Sequence, residues 1–267
     1  MASNTAAATN QPILLREDSR GVCTLTLNRP AEFNALSEAM LGCLQDSFDA
    51  IAEDPSVRVV VLAARGKAFC AGHDLKEMRA RPDQDYYTNL FKKCGRMMVT
   101  MTHLPQPVIA RVQGVATAAG CQLVANADLA VAANDVTLGV SGINVGLFCM
   151  TPGVALSRNV GRKQAFEMLF TGEMVDADKA LEIGLINRAA APDELDYVVG
   201  QLAQSIVAKS RAAVTAGKRV FYNQLTMDLQ AAYDYAAEEM ACNMMFYDAG
   251  EGIDAFIAKR PPVWRDE

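Results

Sequence analysis

The chain offers few groups able to move a proton near neutral pH. Two histidines are present: His73, in the segment Lys67 to Met78 (KAFCAGHDLKEM), and His103, ahead of Leu104 and Pro105. Histidine titrates near neutrality, so His73 is a candidate base. With only two histidines no Ser/His/Asp arrangement is legible. Seven cysteines (Cys23, Cys43, Cys70, Cys94, Cys121, Cys149 and Cys242) are scattered without metal-site spacing, and no metal centre is expected. The stretch Gly66 to Phe69 is not a P-loop, because the upstream glycine and the Ser/Thr are missing, and no dinucleotide fingerprint occurs. One run stands apart. The segment Val112 to Ala133 (VQGVATAAGCQLVANADLAVAA) places small residues at 116, 118, 119 and 120. Small side chains let another molecule come close to the backbone. Taken alone, the run reads as a tight helix start packed on a strand.

Together, the two segments resemble the two signature segments of the enoyl-CoA hydratase/isomerase, or crotonase, family. The resemblance runs from about Ile13 to the C-terminus. It includes Asn28 to Leu36 (NRPAEFNAL), Gly142 to Phe148 (GINVGLF), Phe170 to Arg188 (FTGEMVDADKALEIGLINR) and Ala255 to Trp264 (AFIAKRPPVW). The details are most similar to the enoyl-CoA hydratase domain-containing protein 3 subgroup. The resemblance implies an α/β fold, a crotonase-type spiral of ββα units with a helical C-terminal trimerisation region. It also implies a homotrimer or a dimer of trimers, and an acyl-CoA thioester as ligand, with coenzyme A entering as part of the substrate and no permanently bound cofactor.

The family's shared device is an oxyanion hole, two backbone N–H groups aimed at the thioester carbonyl. By resemblance the donors are His73 and Ala119; fixed in advance, each is worth ~3–4 kcal/mol. The matched feature of His73 is this N–H rather than its imidazole, and His103 reads as a satisfied residue at a helix end. The resemblance places Ala71, Gly72, Asp74 and Leu75 on the coenzyme A loop, with Asp74 a loop-fixing acceptor. It assigns Arg29, Lys67 and Lys76 to the phosphates. Phe256 and Lys259 match adenine-side residues that often reach the site from a neighbouring subunit. Each lysine alone reads as a solvated surface charge.

The frame departs from a hydratase at two points. Where the family has its glutamates, this chain has Gln122 and, twenty residues on, Gly142. Gln122 keeps the size of glutamate but exchanges no proton near neutral pH. Losing both acid/base groups would cost roughly 10⁴–10⁸ in rate, on the order of 5–11 kcal/mol. Ser141 and Asn144 flank Gly142, and neither is a good base. Cys121 and Cys149 could supply a thiolate but read as small buried apolar residues. Three readings follow: acyl-CoA chemistry needing less acid/base help, such as thioester hydrolysis, decarboxylation or isomerisation; non-catalytic acyl-CoA binding; or a hydratase using replacement groups. A peptidase on a related spiral would need a matched Ser and His, which are absent.

The elements that must position these groups are legible in part. Gly21 to Asn28 alternates as a strand. Ser37 can cap a helix to about Asp54 with apolar Met40, Leu41, Leu44, Phe48 and Ile51 at helical spacing. Val57 to Ala63 reads as a strand buried on both faces, followed by a loop from Arg65 to Gly72. A helix over 83–102, a strand over 107–112, a helix over 118–126 and a strand over 129–132 complete an α/β alternation. Beyond Gly161 helices dominate: 162–170, 176–183, 193–208, 210–224, 228–247 and 249–258. The expected organisation is a tail over 1–12, a core over 13–190 that binds acyl-CoA, and a helical oligomerisation region over 191–267.

With 267 residues, 51% of them hydrophobic, the chain can bury a sizeable core. A net charge of −6 argues against general nucleic-acid binding. No apolar run is long enough to span a membrane. The N-terminus lacks signal-peptide and transit-peptide features. Reduced, scattered cysteines indicate a cytoplasmic protein.

Overall fold

A computed structural model describes residues 11–267, so most of the expected tail lies outside the described residues. The elements in order are β1 (Leu14–Ser19), β2 (Val22–Leu27), α1 (Glu38–Ala52), β3 (Val59–Ala64), β4 (Ala68–Cys70), α2 (Leu75–Ala80), α3 (Gln84–His103), β5 (Val108–Val112), β6 (Val115–Thr117) and α4 (Ala119–Asn126). There follow β7 (Leu129–Ala133), β8 (Thr137–Gly139), α5 (Met150–Asn159), α6 (Arg162–Thr171), β9 (Met174–Asp176), α7 (Ala177–Glu182) and β10 (Arg188–Ala190). Four helices close the chain: α8 (Leu195–Val207), α9 (Arg211–Gln224), α10 (Leu229–Met244) and α11 (Tyr247–Ile257).

The strands form two sheets, β1-β2-β3-β5-β7-β10 and β4-β6-β8-β9. Three successive pairs, β3–β4, β5–β6 and β7–β8, each give their first strand to the six-stranded sheet and their second to the four-stranded one. Helices follow each pair. This is the expected spiral of ββα units. Every residue of β3 is buried, as a central parallel strand covered on both faces requires. In α1 the Ser37 Oγ accepts from the Met40 N–H at 3.2 Å, and the five apolar residues at helical spacing are all fully buried.

The second sheet is the main departure from the sequence reading. The expected loop over Arg65 to Gly72 contains β4, and β6, β8 and β9 were not anticipated. Each of these strands has three residues, too few to show a period of two. The α8 helix buries Leu195, Val199 and Ala203 and packs on β2, β3, β5 and β7.

A buried ion pair clamps α9 to the core. The Lys218 ammonium donates to Met101 O at 3.1 Å, Gln106 O at 3.0 Å and Asp128 Oδ2 at 2.7 Å. The Tyr222 hydroxyl donates to Asp128 Oδ1 at 2.7 Å, and the Val108 N–H to Oδ2 at 2.6 Å. Asp128 is the hub. Burial pushes the Lys218 pKa down, against the pull of Asp128. Lys218→Ala leaves the Asp128 carboxylate uncompensated, and should lower unfolding free energy by about 3–5 kcal/mol. An unchanged urea midpoint would refute the clamp.

Candidate active site

The site is built on the turn from β4 to α2. This turn is sutured to the Asn28–Leu36 segment by three backbone bonds: Ala71 N–H to Phe33 O (3.0 Å), Leu36 N–H to Gly72 O (2.8 Å) and Asp74 N–H to Leu36 O (3.2 Å). Their alternation spends the N–H groups of Ala71 and Asp74 and leaves that of His73. Behind the suture, fully buried Asn34 donates to Arg65 O and Ala68 O, both at 2.8 Å, and accepts from the Arg29 N–H at 2.9 Å. Asp74 caps α2, accepting from the N–H groups of Lys76 (3.1 Å) and Glu77 (3.2 Å) and from Arg29 Nη2 (3.2 Å). Burial pushes the Asp74 pKa up, but the bonds from Glu77 and Arg29 outweigh it and hold the carboxyl below its usual range.

The second wall is the turn from β6 into α4. Ala118 sits at φ 51°, ψ −121°, a region costly for a side-chain-bearing residue, as strained functional turns often are. Its N–H bonds to Gly139 O at 2.9 Å, and its carbonyl accepts from Gln122 N–H at 3.0 Å. Ala119 opens the helix, where the first N–H groups lack intrahelical acceptors. Among the described residues, neither Ala119 N–H nor His73 N–H has a protein acceptor.

The two walls touch. Gly72 has φ +93°, and a Cβ there would lie 2.9 Å from Ala118 Cβ and 3.2 Å from Ala119 N. A Cβ on Gly120 would lie 2.0 Å from Cys70 O. Only side-chain-free backbone allows this contact, which sets His73, the residue after Gly72, beside Ala119.

Comparison with known proteins fits this geometry. A profile described as "Enoyl-CoA hydratase/isomerase" matches residues 17–267. The chain belongs to that family. It is 45% identical over 244 residues to the rat protein named enoyl-CoA hydratase domain-containing protein 3, mitochondrial, covering 91% of this chain and 81% of the relative. A crystal structure titled as an enoyl-CoA hydratase of Mycobacterium smegmatis superposes with a TM-score of 0.94 at 62% identity, covering 95% of this chain and 99% of that one. The crystal structure of human enoyl coenzyme A hydratase domain-containing protein 3 gives a TM-score of 0.92 at 43% identity, covering 95% and 100%. The expected fold and the subgroup resemblance both hold.

Beside this family frame, the chain's own side chains are neutral. Gln122 is only 4% exposed, and its Oε1 has no partner. Gly142 opens no space for a longer side chain. It lies in the 3-10 turn Ser141–Val145, and a Cβ on it would fall 2.4 Å from Leu147 O and 2.7 Å from Cys149 Sγ. Burial pushes the Cys121 thiol up to about 12 and raises that of Cys149, so both stay protonated at neutral pH. The His73 ring is edge-on to Phe91 at 5.3 Å, both its nitrogens lack partners, and burial lowers its pKa. It is a neutral imidazole. His103 is satisfied at the end of α3, its Nδ1 2.8 Å from Val99 O.

The expected coenzyme A residues divide. Arg29 is spent on Asp74 and on Ala35 O (3.0 Å). Exposed Lys67 and Lys76 have no carboxylate partner among the described residues. Ala71, Gly72 and Leu75 lie on the turn itself. Phe256, 84% exposed, is on α11, whose main packing partners are α9 and α10, and Lys259 follows that helix. A cavity of about 440 Å³ is lined by Arg58 and Gln106, which precede β3 and β5, so it opens at the far end of those strands. The sequence reading missed Asn34 and the hydroxyl pair of Thr117 and Ser141, 2.8 Å apart. A polar residue's burial has no signature in sequence.

Because the turn closes on Gly142, restoring a carboxylate there costs packing. Gly142→Glu should lower stability by roughly 1–3 kcal/mol and leave hydration no faster, alone or with Gln122→Glu. Calorimetry and crotonyl-CoA turnover read both effects; a stable double variant that hydrates would show that the turn has room.

Proposed function

We propose that the chain acts on an acyl-CoA thioester through the backbone N–H groups of His73 and Ala119, in a reaction needing no carboxylate base. The observation that carries this reading is the pair of N–H groups without acceptors on two walls in backbone contact. Such donors stabilise an enolate or tetrahedral oxyanion at ~3–4 kcal/mol each. Gln122 and Gly142, at the positions expected for the family's glutamates, supply no proton transfer. Hydrolysis, decarboxylation and isomerisation remain the reaction classes within the proposal. The same neutral side chains support a second reading, acyl-CoA binding without turnover.

In this proposal coenzyme A arrives as part of the substrate, and no permanently bound cofactor is required. Lys67 and Lys76 are available for its phosphates, while Arg29 acts through Asp74. Ala71, Gly72 and Leu75 line the approach. Phe256 and Lys259 would serve the adenine side of a neighbouring subunit's site. Assembly as a trimer or dimer of trimers through residues 191–267 belongs to the same reading. Exposed Leu229, Tyr233, Met245, Phe256 and Ile257 support it, since apolar surface of this kind marks an interface. Analytical ultracentrifugation should show a trimer or hexamer, and a monomer would end this part. No helix among the described residues is long and apolar enough to cross a membrane. A cytoplasmic location, supported by the free cysteines, remains part of the proposal; the rat relative is named mitochondrial, and cell fractionation decides.

The deciding assay follows the conjugated enoyl-thioester absorbance of crotonyl-CoA with purified protein, beside calorimetric binding of CoA esters. The expected result is no fast hydration and binding at micromolar or tighter Kd. Fast hydration would mean that other groups replace the glutamates. Absence of binding to any CoA ester would remove both readings.

A further inference from the structure

We propose that Thr117 and Ser141 form a specificity element that receives a carboxylate on the acyl group of the thioester. The inference rests on the acyl-CoA reading above and names its substrate class: acyl thioesters bearing a free, anionic carboxylate at or near the β-carbon.

The placement comes first. Thr117 ends β6, two residues before Ala119, and Ser141 immediately precedes Gly142. The Thr117 Oγ1–Ser141 Oγ bond therefore joins the chain just before the oxyanion wall to the chain just before the turn where a glutamate is missing. On β6, Ala116 is fully buried, whereas Val115 is 40% exposed. Side chains alternate along a strand, so Thr117 shares the accessible face with Val115. Both residues are half-buried.

Their hydrogen bonding is incomplete. Two hydroxyls carry two protons. One proton makes the 2.8 Å bond, and the other has no acceptor among the described residues. Gln122, the neighbouring neutral residue on α4, is only 4% exposed and its amide nitrogen has no acceptor among the described residues. As an amide it carries N–H donors where a carboxylate would carry only acceptors.

The electrostatics select the ligand. A hydratase with two ionised glutamates would repel an acyl carboxylate. This site holds an amide, two hydroxyls, protonated thiols and a neutral imidazole. The acid on the α2 wall, Asp74, is occupied by Arg29 and by the first turn of α2. The named groups themselves therefore offer donors and carry no negative charge. Donors of this kind bind a carboxylate better than an alkyl group, by roughly ten- to hundredfold per charge-assisted bond.

The test compares malonyl-CoA with isovaleryl-CoA, in which an isopropyl group replaces the carboxylate at nearly constant shape. Calorimetric titration of the whole protein should show malonyl-CoA binding at least about tenfold tighter. Thr117→Val and Ser141→Ala should each weaken malonyl-CoA binding by a similar factor and leave isovaleryl-CoA within about twofold. A merely structural role for the pair would weaken both esters alike, and that result, or equal binding of the two esters by the unmodified protein, would overturn the inference. If neither ester nor butyryl-CoA binds, the acyl-CoA reading itself fails, a distinct outcome.

Discussion

The site depends on one constraint, the contact of two backbones with nothing between them. The β4 strand and its following turn lie against the β6–α4 segment at three glycines. Cβ atoms added at Gly114, Gly72 and Gly120 would fall 2.2 Å from Lys67 O, 2.9 Å from Ala118 Cβ and 2.0 Å from Cys70 O. Real Cβ atoms do not approach so closely, so all three positions are closed to any side chain unless the strands separate. Separation would move His73 away from Ala119. The proposed oxyanion hole of backbone groups needs donors placed before the charge forms, and this contact is what would place them.

The surrounding hydrogen bonds maintain that contact from behind. Asn34, fully buried at φ 54°, bonds the loop after β3 and the start of β4. Gln113 donates to Gly66 O at 3.2 Å and Ala68 O at 3.0 Å, tying the same loop to the end of β5. Arg29 holds Asp74, which holds the first turn of α2. The Asn34 and Gln113 bonds satisfy carbonyls that the short strands leave over. Strands of three residues contribute few ladder bonds of their own, so side-chain amides supply the rest.

The two neutral residues Gln122 and Gly142 differ in what the backbone does around them. At Gln122 a neutral side chain of glutamate's length is held almost fully buried. At Gly142 the backbone has settled into the space. Leu147 N–H bonds to Gly142 O at 3.0 Å, and Gly146 closes the turn at φ +76°. The turn is compact because no side chain needs room, and it carries Ser141 into contact with Thr117. The closed turn at Gly142 and the hydroxyl pair belong to the same local packing.

The sequence by itself determined β2, β3, β5 and β7 of the main sheet, most of the helices and the two segments that carry Gly72 and Ala119. These are local features. Runs such as Val59–Ala64 and the Ser37-capped stripe of α1 carry their burial pattern within a few consecutive residues. The neutrality of the site was also legible, because Gln122 and Gly142 can be read from residue identity. Only the tertiary structure decided the second sheet, the closed turn at Gly142, the Asp128–Lys218 clamp and the Thr117–Ser141 bond. Strands of three residues are shorter than the pattern that would reveal them. The other contacts join residues 24 or more positions apart, or depend on backbone distances of a few ångströms. Such distances are set when the spiral packs, and residue type alone does not encode them.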